Sequence, residues 1–394
     1  MPQFSEFTPP RRMLMGPGPS DVHERVLQAL ARPTIGHLDP EFIRLMDEVK
    51  ALQQYVMQTK NPQTFTVSAP GSAGMETCFV NLIEPGDKVI ICINGVFGMR
   101  MLENVKRIGA QAIVVEDEWG TAVDPEKVAT ALKENPDAKA LAFVHSETST
   151  GVLSDAQTLA KLAQEQGCLT IVDTVTSLAG VPLKCDDWGL DAVYSGTQKC
   201  MSAPPGLSPV TFSAKAEAAL KNRKTPVQSW FLDVNLLSGY WSGGKRAYHH
   251  TAPVNALYGW HESLRMVQEE GLENSWSRHA FHHQGLKAGL DALGLELMVD
   301  EGCRLPQLNL VRIPEGIDDG AFRNSLLNDH NLEIGAGLGK FAGQAWRIGL
   351  MGVSCDQHHV ISCLSFMERA LKAQGYNCDA GAGSNAAKAW YNAQ

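Results

Sequence analysis

Between about residue 88 and residue 222 the chain alternates short apolar runs with longer amphipathic stretches. Val89–Ile93, Gln111–Val115, Ala140–Val144, Leu169–Asp173, Asp191–Tyr194 and Ser208–Phe212 are short, rich in Val and Ile, and bounded by turn residues. Runs of this kind read as buried strands. The segments Gly98–Ile108, Asp124–Glu134, Asp155–Gln166 and Ala214–Asn222 carry a helical spacing. Asp124 followed by Pro125 suits a helix start, with the aspartate as cap. Strands separated by helices predict βαβ crossovers, an α/β fold and a mainly parallel sheet flanked by helices. Ligands of such sheets collect at the carboxyl ends of the strands.

After about residue 270 the pattern changes. Trp276–Leu293, Phe322–Asp329 and Gln357–Ala373 read as helices, and Leu308–Ile313 and Trp346–Gly349 as strands. This predicts a smaller α+β C-terminal domain. The division expected is an N-terminal arm (1–20), a large domain (21–270), a small domain (271–376) and a tail (377–394). The tail is rich in Gly, Ala, Asn and Ser and reads as mobile.

Composition narrows the function. A chain of 394 residues, 44% of them hydrophobic, can bury a sizeable core and is long enough for two or three domains. Its 34 Lys and Arg against 43 Asp and Glu leave a net charge of −9, which argues against nucleic acid as the partner. The nine cysteines are odd in number, form no Cys-x-x-Cys pair and sit mostly in apolar runs. They read as reduced, buried thiols rather than disulfides or metal ligands, in a cytoplasmic protein. No run approaches the ~20 apolar residues of a membrane helix. Met1–Arg12 has no apolar centre of the kind a signal peptide needs, and the terminal Asn-Ala-Gln is not a peroxisomal address.

Two polar residues stand at strand ends. Asp173 closes Cys-Leu-Thr-Ile-Val-Asp, and Lys199 follows Asp191–Gln198, one βα unit later. A parallel sheet can bring both to one crevice, where a carboxylate and an amine would act together. Ser68-Ala-Pro-Gly-Ser-Ala-Gly-Met-Glu76 passes from small residues into a helical pattern. Free N–H groups at such a helix start form an anion site. The segment is neither a Walker A loop nor Gly-x-Gly-x-x-Gly, which weakens ATPase and NAD-dehydrogenase readings.

Eight short motifs then occur in order over residues 13–375. They are Met15-Gly-Pro-Gly-Pro-Ser20, Asn94-Gly-Val-Phe-Gly98, Glu147-Thr-Ser-Thr-Gly-Val152 and Tyr194-Ser-Gly-Thr-Gln-Lys199, followed by Ala203-Pro-Pro-Gly206, Tyr248-His-His-Thr251, Gly271-Leu-Glu-Asn-Ser-Trp276 and Trp346-Arg-Ile-Gly-Leu350. With these motifs the chain resembles the alanine–glyoxylate and serine–pyruvate aminotransferases. They are class V enzymes of fold type I that depend on pyridoxal 5'-phosphate (PLP).

The resemblance implies roles residue by residue. Lys199 would carry the cofactor and move the Cα proton, and Asp173 would hold the pyridine nitrogen protonated. Phe97 would stack on the ring, and Thr148 would touch its 3′ oxygen. Gly71, Ser72 and Gln198 would bind the phosphate. Pro70, which has no N–H, precedes them where relatives can carry Ser. Tyr248 and Thr251 would reach the phosphate of a neighbouring subunit, so the unit would be a homodimer with shared active sites. His249 and His250 between them would be structural or interfacial rather than metal ligands. Arg347 would grip the α-carboxylate of a small amino acid or 2-oxo acid with its planar fork.

The activity implied is transfer of an amino group from alanine or serine to glyoxylate or pyruvate, with ping-pong kinetics. Serine–glyoxylate, ureidoglycine–glyoxylate and hydroxykynurenine transaminases are built alike. His37 and Tyr248 argue against the ureidoglycine type. A cysteine desulfurase would need a His before the lysine, where Gln198 stands, and a mobile Cys, for which Cys303 and Cys355 are the candidates. A non-catalytic cofactor-binding scaffold is argued against by Lys199, Asp173 and Arg347 occurring together.

Overall fold

The computed structural model describes residues 4–241 and 246–394. Seven strands build the main sheet: β1 (Gln63–Val67), β2 (Lys88–Ile93), β3 (Gln111–Glu116), β4 (Ala140–Val144), β5 (Leu169–Asp173), β6 (Ala192–Tyr194) and β7 (Ser208–Phe212). Their spatial order is β1-β7-β6-β5-β4-β2-β3. All run in one direction except β7, which is antiparallel to both of its neighbours. Every residue of β4 and β5 is buried, as central strands covered on both faces require.

The register decides where chemistry can occur. Val144 pairs with Asp173, and Asp173 with Tyr194, so three central strands end level with one another. Two helices bring their N-termini to this end. One is α1 (Gly71–Leu82), and the other is α2 (Val96–Ile108). α2 packs closely on β2 because Gly98 has no side chain: a Cβ there would lie 2.6 Å from the Cys92 carbonyl.

The apolar interior forms two large clusters. The first runs from Val26 to Leu272 and encloses the main sheet. The second unites Met15 with residues from Leu286 to Ala387. Between them Gly271, at φ +85°, breaks the run from α3 (Val254–Glu270) to α4 (Leu272–Ala292). The second core covers a three-stranded antiparallel sheet of β8 (Leu308–Arg312), β9 (Gly335–Ala336) and β10 (Ala345–Gly349), with β10 in the centre. Successive side chains of β10 alternate faces. Trp346 stacks on Phe322 in the core at 3.9 Å, and Arg347 faces the other way.

Both chain ends pack on the second core. The arm joins the second core: Met13–Leu14 pairs in parallel with Leu332–Glu333, and Gly349 donates to the Met15 carbonyl at 2.7 Å. It then crosses to the main sheet, where Ser20 N donates to the Gln198 carbonyl at 2.9 Å. The tail expected to be mobile instead contains a helix, α6 (Ala382–Asn392). α6 packs on α4 and on α5 (Gln357–Ala373). Gly285 and Gly289 on α4 leave the room it needs: a Cβ on Gly289 would lie 2.8 Å from the Gly383 carbonyl. Among the described residues no helix is long and apolar enough to cross a membrane.

Candidate active site

At the level ends of β5 and β6 lies a cavity of about 170 Å³. Gly71, Ser72, Phe97, Asp173, Gln198 and Lys199 all line it. These six come from four separate stretches of sequence, and the sheet register with the two helix N-termini brings them together. Asp173 is buried, with Oδ1 accepting from Val175 N and Oδ2 from Tyr194 Oη, each at 2.8 Å. Burial pushes its carboxyl up to about 6, while those hydrogen bonds and the charges of Lys199 and Arg100 resist. At that value Asp173 is mostly ionised near neutrality, and a further cation beside it would hold the charge to lower pH.

Lys199 sits in the turn after β6, almost fully buried, and its Nζ donates to the Pro17 carbonyl of the arm. Burial, and then the positive charge of Arg347, pull the ammonium down to about 8. About a tenth of the amine is thus uncharged at neutral pH, far more than for a free lysine, and this is the state a nucleophile or base needs. Gly18 of the arm, at φ +107°, lies against the lysine side chain where no Cβ fits.

The N-terminus of α1 supplies the polar end of the cavity. Pro70 is its cap residue and offers no side-chain hydrogen bond, so the first N–H groups of the helix face the cavity unpaired by any cap. A Cβ at Gly71 would come within 3.2 Å of Val175, so backbone rather than side chain forms this wall. The buried Oε1 of Gln198 has no hydrogen-bond partner among the described residues.

Arg347 and Thr148 do not line this cavity, though the charge of Arg347 acts on Lys199. The guanidinium of Arg347 is buried, with Nε donating to the Ala336 carbonyl at 2.7 Å and Nη1 to the Thr148 carbonyl at 3.2 Å. No carboxylate among the described residues lies within the 4.0 Å of an ion pair. Burial pulls Arg347 down to about 10, opposed by the charge of Glu147. Thr148 Oγ1 lies 2.6 Å from Thr176 Oγ1. Tyr248 and Thr251 are exposed and do not line the cavity; their hydroxyls are 3.4 Å apart. Between them His249 Nδ1 lies 2.8 Å from His250 Nδ1, and His250 Nε2 is 2.7 Å from Ser68 Oγ.

The family model described as aminotransferase class-V matches residues 19–339 of this chain. The chain belongs to the class V aminotransferases. It is 39% identical over 366 residues to the alanine–glyoxylate aminotransferase of Rattus norvegicus, covering 92% of this chain and 88% of that one. The solved alanine–glyoxylate aminotransferase of Nostoc sp. is 44% identical with a TM-score of 0.92, covering 94% of this chain and 97% of the other. The ureidoglycine–glyoxylate aminotransferase structure from Bacillus subtilis is 37% identical with a TM-score of 0.96, covering 98% of this chain and all of the other.

The cofactor of this aminotransferase is PLP, and the cavity's own features fit it. A carboxylate without a cation, a helix N-terminus without a cap and an amide oxygen without a partner answer a pyridinium, a phosphate and further polar contacts. Four residues of this environment were absent from the sequence-based set. Arg100 lines the cavity, with its guanidinium 4.7 Å from the centre of the Phe97 ring. It follows Phe97 by three positions on α2, a helical spacing that could have revealed it. Tyr194 hydrogen-bonds Asp173, Pro17 accepts from Lys199, and Glu147 lies buried beneath Phe97. Tyr194 and Glu147 head motifs already picked out, but nothing local marks what their side chains touch.

Proposed function

We propose that this aminotransferase moves the amino group of a small amino acid, alanine or serine, to glyoxylate, with pyruvate as a further acceptor. The observation that carries the reading is Arg347, a buried guanidinium without a counter-ion whose charge reaches Lys199. A group so placed answers a carboxylate, which donor and acceptor share. PLP supplies an electron sink for the bonds at Cα. Lys199 holds the cofactor and moves the Cα proton with its uncharged Nζ, and Asp173 keeps the pyridine nitrogen protonated. Gly71, Ser72 and Gln198 hold the phosphate, Phe97 packs on the ring, and Thr148 meets the 3′ oxygen.

A second reading keeps glyoxylate and takes (S)-ureidoglycine as donor. The TM-score of 0.96 to the Bacillus subtilis structure favours it. His37 and Tyr248, which argued against it from the sequence, pack on each other at 5.2 Å outside the cavity. Cys303 and Cys355, the thiols considered for a desulfurase, also lie outside the cavity. A panel of alanine, serine and ureidoglycine, each with glyoxylate or pyruvate, decides the donor by the cofactor's absorbance change. Turnover of alanine or serine is expected; turnover of ureidoglycine alone selects the second reading, and no turnover with glyoxylate defeats both.

We further propose that two copies share their sites, Tyr248 and Thr251 of one serving the phosphate of the other. In support, Tyr248 and Trp230 are each 63% exposed, and Trp230 stacks at 4.5 Å on His249, the residue that follows Tyr248. Mixing inactive Lys199→Ala protein with an inactive Tyr248→Phe/Thr251→Ala double variant should restore activity through hybrid dimers with one intact site. No recovery after verified subunit exchange would count against sharing.

A further inference from the structure

Glu147 is fully buried and outside the cavity, yet it touches the parts that surround it. Its Oε2 accepts from Phe97 N at 3.1 Å, and its Oε1 from Ser149 N at 3.0 Å and from the Ser149 hydroxyl. That hydroxyl accepts in turn from Val96 N at 2.9 Å. Val96 and Phe97 open α2, whose own cap position is Gly95 and offers no side chain. The first N–H groups of α2 are therefore capped by residues about fifty positions away. Gly95 keeps the approach open, since a Cβ there would run into the Glu147 carboxylate. The next residue, Thr148, accepts from Arg347 through its carbonyl and meets Thr176 through its hydroxyl.

We propose that Glu147 is a positioning residue that fixes the start of α2, and with it the Phe97 ring, relative to β5 and Arg347. It acts from beneath the site without touching cofactor or substrate. Only a carboxylate at 147 accepts from both N–H groups at once; a carboxamide must turn its NH2 toward one of them. Burial raises the Glu147 carboxyl to about 7 and so works against the ionised form, while the hydrogen bonds from Ser149 and Phe97 N–H favour it. Arg100, which stands over Phe97, would shift with the same helix turn.

The proposal rests on reading Phe97 as the platform for the cofactor ring, and one double-mutant cycle tests the two separately. Apo forms of the wild type, Glu147→Gln, Phe97→Ala and the double variant are titrated with PLP by tryptophan fluorescence. The circular dichroism of the bound cofactor and the apo melting temperature are recorded alongside. Glu147→Gln should weaken PLP binding about tenfold, the weight of one charge-assisted hydrogen bond, and change the cofactor's dichroic band. In the Phe97→Ala background the same change should alter affinity less than about twofold, since sites acting through one another are not additive. If Phe97→Ala alone leaves affinity and dichroism unchanged, the platform reading fails. If Phe97→Ala has its effect but Glu147→Gln does not, or if the two effects simply multiply, the positioning role is overturned. Should Glu147→Gln fail to fold, Ser149→Ala, which removes the hydroxyl's bonds to Val96 N and Glu147 Oε1 but keeps the Phe97 N–H bond to Glu147, is judged by the same criteria with a smaller effect.

Discussion

Two polar clusters lie on either side of the N-terminal arm, and their charges are treated in opposite ways. Around the cavity burial drives four groups toward neutrality: Asp173 up to about 6, Glu147 up to about 7, Lys199 down to about 8 and Arg347 down to about 10. On the arm's other side, His359 of α5 bridges Asp21 at 3.0 Å and Asp356 at 2.9 Å. Burial opposes charge there too, but the two carboxylates prevail and push the imidazole up to about 9, while His359 helps bring Asp356 down to about 2. Asp21 also accepts from Leu14 N and Ser354 Oγ, each at 3.2 Å, so this clasp ties the arm to the C-terminal core. The clasp supplies its own counter-charge. The cavity leaves its charges to be balanced by molecules that bring their own, which distinguishes a binding site from a structural ion pair.

The sharpest way to break this contrast is at Lys199. Lys199→Ala should lower turnover by at least about a thousandfold, the upper range for loss of a positioned base, and abolish the borohydride-trappable link to PLP. A trapped peptide carrying a different lysine would remove Lys199 from the centre of the cavity cluster. Arg347→Lys probes the missing counter-ion with a smaller effect. The charge stays but the planar fork is lost, so KM for donor and acceptor should both rise about tenfold with PLP affinity unchanged. A rise for one substrate only, or a loss of cofactor instead, would show that the guanidinium does not serve a shared carboxylate.

The smallest effect belongs to the clasp and is read as stability. The His359 value lies above that of a free imidazole in the folded chain. Its contribution is therefore fully present below the ordinary value near 6.5, and is lost as pH rises through about 9. Solvent screening limits it to about 1–2 kcal/mol. The melting temperature of the wild type should fall more than that of His359→Gln between pH 6.5 and pH 10, and the two should converge at the alkaline end. Parallel curves would mean that His359 holds no extra proton and that the clasp resembles the cavity after all.

Several structural features were hidden in the sequence for identifiable reasons. β1 went unread because Gln-Thr-Phe-Thr-Val alternates polar with apolar residues over only five positions. Its threonines are buried nonetheless, since Thr64 meets Thr211 on β7 at 2.7 Å and Thr66 donates to Gln53 at 2.6 Å. α6 was hidden because its small residues look like a flexible tail, and its seat depends on two glycines about a hundred positions earlier on α4. The strand ends at Asp173 and Lys199 were legible because a polar residue closing or following an apolar run stands out against a buried strand.

The sequence by itself determined most of the local elements, the α/β class, the family and the residue types able to hold PLP, because apolar periodicity and short motifs are properties of neighbouring residues. Only the tertiary structure decided that β7 runs against the sheet, that the arm closes over Lys199, and that Glu147 caps a helix fifty residues away. It also decided the chemistry of the site. Lys199 and Arg347 lie on different sheets and cores, and the shifts that leave the amine partly uncharged arise from shared burial and mutual repulsion. Neither exists until the chain has removed both groups from water.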